Sequence, residues 1–166
     1  MVDNVPPDVQ RAFERHDAIE TTEDGFEVTT TAFDSTVTVE QVDGSIEYRV
    51  SVRVPTLDAA TKDEVGPTVA LDWFETFERR LEDAAKAVRE RVELTDFTVE
   101  ETERVVTVEY AFSWENPTRA VEIVKAFVEY VEGTYVEGVI PGYEYRPPVT
   151  ELLGEATQGG EGGTPL

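Results

Sequence analysis

The chain has no cysteine and a single histidine among its 166 residues. Without cysteine, disulfides, thiolate nucleophiles and zinc–thiolate centres are excluded. A metal site with several histidine ligands is excluded too, and His16 is the only histidine available as a general base. The glycine-rich patterns that bind nucleotide phosphates are also missing. The sequence therefore predicts no cofactor, no metal and no assigned catalytic residue.

Long apolar runs and basic clusters are equally scarce. No stretch of about 18 apolar residues is present, and the N-terminus, MVDNVPPDVQ, lacks the basic and apolar regions of a secretory signal. We therefore expect a cytoplasmic protein with no membrane partner. A nucleic-acid partner is not expected either, because neutralising phosphates requires a basic surface.

Acidic residues are abundant: 36 Asp and Glu oppose 14 Lys and Arg, for a formal charge of −22, and 40% of residues are hydrophobic. Only three of the basic residues are lysine. At about 1 M salt the Debye length is about 3 Å, so such self-repulsion is largely screened. The composition therefore predicts a folded protein adapted to a cell interior rich in K⁺. In so acidic a sequence, a cluster of carboxylates is weak evidence for catalysis or for metal binding. This applies to the hard-cation site that is conceivable at Glu100, Glu101 and Glu103.

The clearest helix in the sequence runs from Asp72 to Leu94, DWFETFERRLEDAAKAVRERVEL. Its apolar residues recur every three or four positions, which places them on one helical face. Asp72 is expected to cap the N-terminus, and oppositely charged pairs four residues apart cover the other face. Strand-like sequence flanks this segment on both sides, so we expect it to be the helix on which a sheet closes.

Period-two alternation predicts five strands, the clearest around Ile46–Val54, where apolar residues alternate with polar ones. Asp43-Gly44 predicts a two-residue hairpin before that strand. The five strands are Phe26–Thr31, Thr36–Val42, Ile46–Val54, Asp96–Glu101 and Arg104–Ser113.

Two more helices are expected, one at Pro7–His16 and one that Asn116 caps and Gly133 ends. The fold class is therefore α+β: a five-stranded antiparallel sheet with helices packed on one face, in the order α-β-β-β-α-β-β-α. Residues 1–150 form a single domain, with an aromatic and proline-rich arm at 134–150. Residues 151–166 are expected to be a disordered glycine-rich tail. The 55–71 connection is expected to carry a short helical turn and to cross the sheet, or to be mobile and functional.

The candidate binding residues come from three features. Basic side chains in the central helix could dock an acidic partner, or could be a solvated face with internal ion pairs. Aromatic residues could line a pocket between sheet and helices, and tyrosines of the arm could stack on a ligand or dock the arm on the core. These candidates are Arg79, Arg80, Lys86, Tyr48, Trp73, Tyr110, Tyr143 and Tyr145.

The order of elements resembles the type III secretion chaperone-like fold, including the YbjN-like proteins, over about residues 7–132. The segments TLDAAT, DWFETFERRLEDA and WENPTRAVEIVKAFVEYVEGTYVEGVIPGY resemble a haloarchaeal family of short, acidic, uncharacterised proteins. In the chaperone-like fold the middle helix often forms a homodimer interface and an apolar groove binds a partner segment. The resemblance thus implies such a role for Asp72–Leu94, although the charged second face of that helix departs from an apolar dimer interface.

Two functions remain open from the sequence. One is a non-enzymatic, chaperone-like module of a halophilic archaeal cell that binds a protein or peptide and could form a homodimer. The alternative is a small-molecule-binding protein or enzyme with a pocket lined by Trp73, Tyr48 and Tyr110.

Overall fold

A six-stranded antiparallel sheet in the order β1-β2-β3-β4-β6-β5 forms the centre of the molecule. The structure, a computed structural model, describes residues 5–154. The strands are β1 (Ile19–Thr21), β2 (Phe26–Val28), β3 (Asp34–Val42), β4 (Ser45–Pro55), β5 (Leu94–Glu101) and β6 (Val105–Ser113). The helices are α1 (Pro7–Arg15), α2 (Leu57–Ala60), α3 (Pro67–Leu81) and α4 (Pro117–Glu137). A 3₁₀ turn occupies Ala84–Ala87 and a further helical segment spans 149–154.

The β3–β4 hairpin forms where the sequence predicts it. Asp43 and Gly44 have φ values of 50° and 82°, the left-handed conformation that a two-residue hairpin turn requires. Register then follows from Val42↔Ser45 to Asp34↔Arg53. This register puts Val37, Val39, Val50, Val52 and Val54 on one buried face of the sheet. The charged side chains lie on the other face, together with Val42, which is exposed.

Helices cover that apolar face. The Phe13 ring of α1 stacks on Phe26 at a centroid distance of 4.6 Å and on Tyr48 at 5.9 Å. The Phe127 ring of α4 packs against Tyr110 at 5.1 Å and Phe112 at 5.5 Å. The prediction of an antiparallel α+β fold is confirmed.

The predicted strand number was wrong, since the sheet has six strands. The missed strand, β1, pairs with β2 from Ile19↔Val28 to Thr21↔Phe26. It spans three residues, too few to show an alternating pattern. Its place in the sheet comes from pairing with β2 and not from its own sequence.

The predicted Asp72–Leu94 helix has different bounds in the structure. α3 begins five residues earlier, with Gly66 as N-cap and Pro67 in the first turn, and it ends at Leu81. Asp72 is therefore in the helix interior and caps nothing. The apolar spacing after Leu81 belongs to the 3₁₀ turn and to the segment leading into β5, where Ala84 and Val92 are buried without a helix.

The helix most deeply embedded in the core is α4, not α3. Asn116 caps it as predicted, because its Oδ1 accepts the N–H of Arg119 at 3.0 Å, but it continues past Gly133 to Glu137. Buried side chains occur on more than one of its faces, because α1 and α3 flank it above the sheet. They are Ala120, Val121, Ile123, Val124, Phe127, Val128, Val131, Thr134 and Tyr135.

The segment after α4 returns to the core. Tyr145 forms an isolated β-bridge with Thr61, and the Arg146 N–H donates to the Ala60 carbonyl at 2.7 Å. Val149 and Leu152 are buried, so ordered packing reaches the 149–154 helical segment. The rest of the predicted tail, 155–166, lies outside the described residues. In residues 5–154 no helix has the length and apolarity needed to cross a bilayer.

Candidate binding groove between two helices

Two antiparallel helices, α3 and the C-terminal half of α4, form the walls of a surface groove. At one end, a Cβ placed on Gly138 would lie 3.9 Å from Nε1 of Trp73. At the other end, the Tyr130 hydroxyl donates to the Arg80 carbonyl at 2.8 Å. The helices thus lie close together at both ends of the shared surface, and a hydrogen bond joins them at the Arg80 end.

The groove consists of two adjoining clefts. The first has a volume of about 470 Å³ and the second about 420 Å³, and both are bordered by Arg80, Thr134 and Glu137. We call this continuous depression the α3/α4 groove. Its first cleft is lined by Val69, Asp72, Trp73, Thr76, Phe77, Arg80, Thr134, Glu137, Gly138 and Ile140.

Two aromatic rings, Trp73 and Phe77, form the floor of the α3/α4 groove, and the buried Tyr135 ring supports them. Trp73 and Phe77 are stacked at a centroid distance of 5.3 Å, and Tyr135 of α4 meets both edge-on at 5.6 and 5.7 Å. The Tyr135 hydroxyl donates to the Pro55 carbonyl at 3.1 Å, which ties the floor to the end of β4. Burial raises the pKa of Tyr135, so this ring remains neutral at ordinary pH. The floor is therefore apolar and rigid.

Three charged side chains border this floor. Among the residues that the structure describes, neither Asp72, Arg80 nor Glu137 forms a side-chain hydrogen bond or an ion pair. Asp83, at the second cleft, is by contrast neutralised by Lys86 at 3.2 Å. The α3/α4 groove thus combines an apolar floor with three charges that are available to a ligand.

The returning chain closes one end of the α3/α4 groove. The Tyr145 hydroxyl donates to the Ile140 carbonyl at 2.6 Å and accepts the Ile140 N–H at 3.1 Å. Asp63 Oδ2 accepts the N–H of Glu144 at 2.6 Å, so the 55–71 connection supports the same segment. Tyr145 is 9% exposed and positions Ile140 in the groove wall.

The eight candidate residues from the sequence are distributed over several parts of the molecule. Trp73 and Arg80 line the α3/α4 groove, and Tyr145 supports its wall. Arg79 is exposed beside the groove without lining it, and Lys86 lies in the 3₁₀ turn after the helix. The basic stripe expected along one long helix is therefore interrupted, because the helix ends at Leu81.

Tyr48 and Tyr110 belong to the sealed core and do not line a pocket with Trp73. Both are 0% exposed, and burial raises the pKa of each hydroxyl. Tyr110 donates to the Leu81 carbonyl at 2.7 Å, whereas the Tyr48 hydroxyl has no hydrogen-bond partner among the described residues. Tyr143 is half-buried and packs against the core. Tyr48 and Tyr110 lie where sheet and helices pack together, so that space is filled.

The sequence alone did not identify most of the groove. Thr76 and Phe77 follow Asp72 and Trp73 at helical spacing, so the α3 wall was detectable as a stripe. The α4 wall, Thr134 to Gly138, falls in the segment that the sequence predicts as an aromatic and proline-rich arm after a helix end at Gly133. Ile140 is brought to the site by the returning chain, which no local pattern indicates.

His16 is positioned as a structural residue. Its Nδ1 accepts the N–H of Ala18 at 3.1 Å, which places the ring proton on Nε2, 2.6 Å from Oε2 of Glu122. Both ring nitrogens are thus occupied by links that join α1 to β1 and α4. No lone pair is left to take a proton from a substrate.

A separate depression of about 570 Å³ lies at the β3–β4 turn, lined by Ile46, Trp114 and Asn116 among others. Its walls are a hairpin turn and a loop. Elsewhere, no group of three or more His, Asp or Glu side chains within residues 5–154 is arranged to hold a metal ion, Glu100, Glu101 and Glu103 included. The α3/α4 groove, whose walls are two helices, is therefore a stronger candidate for a binding site than this depression.

Comparison with known proteins places the chain in one family. The model of a protein family of unknown function matches residues 14–155. That match covers α2 to α4 and all six strands. No curated protein and no solved structure matches the chain.

Proposed function

The chain belongs to that family, DUF5813, whose function is unknown, and we propose that it is a non-enzymatic module that binds a protein segment in the α3/α4 groove. The observation that carries this proposal is the aromatic floor of Trp73 and Phe77, bordered by Asp72, Arg80 and Glu137, whose charges have no ion-pair partner within residues 5–154. Such a combination of an apolar centre and a charged rim is typical of surfaces that recognise peptides and protein helices.

A chaperone-like role is part of the proposal. The element order between α1 and α4 keeps α-β-β-β-α-β-β-α if the short β1 and α2 are set aside, as in the YbjN-like proteins. The middle helix of that order is α3, which forms one wall of the groove. A second copy of the chain could therefore occupy the same groove as a homodimer, and this occupant is one outcome of the test below.

We place this module in the cytoplasm of a halophilic archaeal cell. The support is the formal charge of −22 together with three lysines in 166 residues. At molar KCl, long-range attraction between charged surfaces is screened within about 3 Å. Partner binding under these conditions depends on apolar contact and on short, partly buried ion pairs, both of which the α3/α4 groove offers.

A small-molecule ligand is the second candidate. The first cleft, about 470 Å³, falls within the range of about 300–1,000 Å³ that is typical of small-ligand sites. A compound bound there would raise the melting temperature of the wild type and leave that of a groove-filled variant unchanged.

The test is a selection of random peptides of about 16 residues on immobilised protein in about 2 M KCl. Thr76→Trp fills the groove from the α3 wall, and Arg79→Glu alters an exposed neighbour that does not line it. The proposal expects enriched peptides that bind wild type and Arg79→Glu but not Thr76→Trp. Enrichment of no family of peptides, or equal binding to all three proteins, contradicts it. Size-exclusion chromatography of the same proteins reports whether a second copy fills the groove.

A further inference from the structure

The charges on the α3 wall of the α3/α4 groove are arranged by sign along its length. Asp72 lies in the α3 wall beside Trp73, whereas Glu137 of α4 borders both clefts together with Arg80. Arg80 lies eight residues after Asp72, about 12 Å further along the helix axis. Asp83, at the Arg80 end, is paired with Lys86 at 3.2 Å. The α3 wall of the groove is therefore acidic at Asp72 and basic at Arg80.

The apolar floor lies between these charged ends. Trp73 and Phe77 are one helical turn apart, and their stacked rings occupy the middle of the interval from Asp72 to Arg80. A ligand that fills the groove must therefore present an apolar centre, a cation towards Asp72 and an anion towards Arg80. Reversing the ligand would oppose like charges at both ends.

A helix meets these requirements with standard geometry. Two antiparallel helices leave a channel that a third helix can fill, with its apolar stripe directed at the floor. From Val69 to Asp83, α3 and its C-terminal extension measure about 21 Å, the length of about four turns. On one helical face, residues seven or eight positions apart are separated by about 11–12 Å, which matches the spacing of Asp72 and Arg80.

Helix electrostatics decides which way the ligand runs. Acidic residues are favoured at the N-terminus of a helix and basic residues at its C-terminus, because they complement the helix dipole. A ligand helix with its acidic first turn at Arg80 and its basic last turn at Asp72 satisfies this preference. Such a helix runs antiparallel to α3 and parallel to α4, so the dipoles of the two walls offset each other and the side-chain charges decide its direction.

On the basis of the proposed function, we infer that the α3/α4 groove binds an amphipathic helix of about four turns that runs antiparallel to α3. This helix carries an acidic residue in its first turn, an apolar centre, and a basic residue about seven positions after the acidic one. The partner is thus identified by charge order as well as by hydrophobicity.

The test uses two alanine-rich synthetic helices of about 16 residues, labelled for fluorescence anisotropy and titrated in about 2 M KCl. The acid-first peptide carries glutamate in its first turn, leucine and phenylalanine at its centre and lysine in its last turn. The base-first peptide has the glutamate and lysine exchanged and is otherwise identical. Because partly exposed ion pairs contribute only modestly, the acid-first peptide is expected to bind about fivefold more tightly.

Charge-reversal variants of the protein test the preference for the acid-first peptide. The double variant Asp72→Lys with Arg80→Glu inverts the groove, and it is expected to invert the preference between the two peptides. The control Glu75→Lys with Arg79→Glu makes the same changes on exposed positions of α3 outside the groove and is expected to keep the wild-type preference. Circular dichroism verifies that each variant is folded.

Three results overturn the inference. Equal binding of both peptides to wild type, abolished by Thr76→Trp, refutes the charge order and leaves peptide binding in the groove standing. Binding of neither peptide refutes the helical partner, and the random-peptide selection then decides the fate of the proposed function separately. A stable dimer that Thr76→Trp dissociates assigns the groove to a second copy instead.

Discussion

The hydroxyl of Tyr110 donates a 2.7 Å hydrogen bond to the backbone carbonyl of Leu81, the last residue of α3. Carbonyls in the last turn of a helix have no partner within the helix. This bond satisfies one of them inside the core, and it attaches the end of α3 to β6. It also marks the point where the helix ends although apolar spacing continues.

Tyr110→Phe is expected to destabilise the protein, and Tyr48→Phe is not. Both tyrosines are 0% exposed on neighbouring strands, but within the described part of the chain only the Tyr110 hydroxyl has a hydrogen-bond partner. Leaving the buried Leu81 carbonyl unpaired costs about 1–2 kcal/mol, or about 4 °C in melting temperature for a domain of this size. Removing the unpaired Tyr48 hydroxyl should change the melting temperature by less than about 1 °C or raise it. Equal losses in the two variants would show that the hydrogen bond is not what stabilises this junction.

Stability is expected to fall as the pH rises above about 10. Burial raises the pKa of Tyr48, Tyr110 and Tyr135, whereas the same tyrosines in the unfolded chain titrate near their ordinary value of about 10. In that range the unfolded chain binds fewer protons than the native protein, so the free energy of unfolding decreases by up to about 1.4 kcal/mol per pH unit for each tyrosine.

Melting temperatures measured from about pH 9 to about pH 11.5 check this, with Tyr110→Phe as control. The variant lacks one of the three titrating hydroxyls, so its melting temperature should fall less steeply with pH. A wild-type curve that is flat over this interval would be incompatible with three phenols buried as neutral groups.

His16 and Glu122 are expected to contribute modestly to stability. The two side chains are 23% and 47% exposed and lie 2.6 Å apart, so solvent screens their interaction. A double-mutant cycle with His16→Ala and Glu122→Ala should give a coupling of about 0.2–1 kcal/mol. His16→Ala alone should cost more than Glu122→Ala, because it also removes the acceptor for the Ala18 N–H. If Glu122→Ala proved the more damaging, Nδ1 would not be a structural acceptor.

Loss of salt is expected to destabilise the fold. With 36 acidic and 14 basic residues, the native protein concentrates negative charge that the unfolded chain spreads out. Lowering KCl from about 1 M to about 0.1 M lengthens the Debye length from about 3 to about 10 Å, so more of these charges repel each other. Melting temperatures followed by circular dichroism should therefore fall steadily with KCl. A melting temperature that is independent of KCl would refute adaptation to high salt.

Local chemistry explains what the sequence could predict. Alternation and the Asp43-Gly44 turn predicted the β3–β4 hairpin, and Asn116-Pro117 predicted the start of α4, because each feature depends on neighbouring residues. The end of α3 could not be predicted, since it depends on contacts that include the hydrogen bond from Tyr110, 29 positions away. β1 depends in the same way on pairing with β2.

The same distinction between local and long-range determinants applies to the candidate site. Trp73 and Arg80 belong to a helical stripe and were identified from spacing, whereas Glu137 and Gly138 lie beyond a glycine that was expected to end α4. That glycine, Gly133, has no heavy atom within 4 Å of a Cβ placed on it, and it is tolerated within the helix because buried residues on both sides hold the helix in place.

The central claim is that the α3/α4 groove binds a helical segment, and amide chemical-shift mapping tests it most directly. Isotope-labelled protein is titrated with the acid-first peptide in about 2 M KCl. The account predicts shifts concentrated on α3 from Val69 to Arg80 and on α4 from Thr134 to Gly138, and absent from Thr76→Trp. Shifts confined to another surface, such as the β3–β4 turn, or no shifts at saturating peptide, would contradict it.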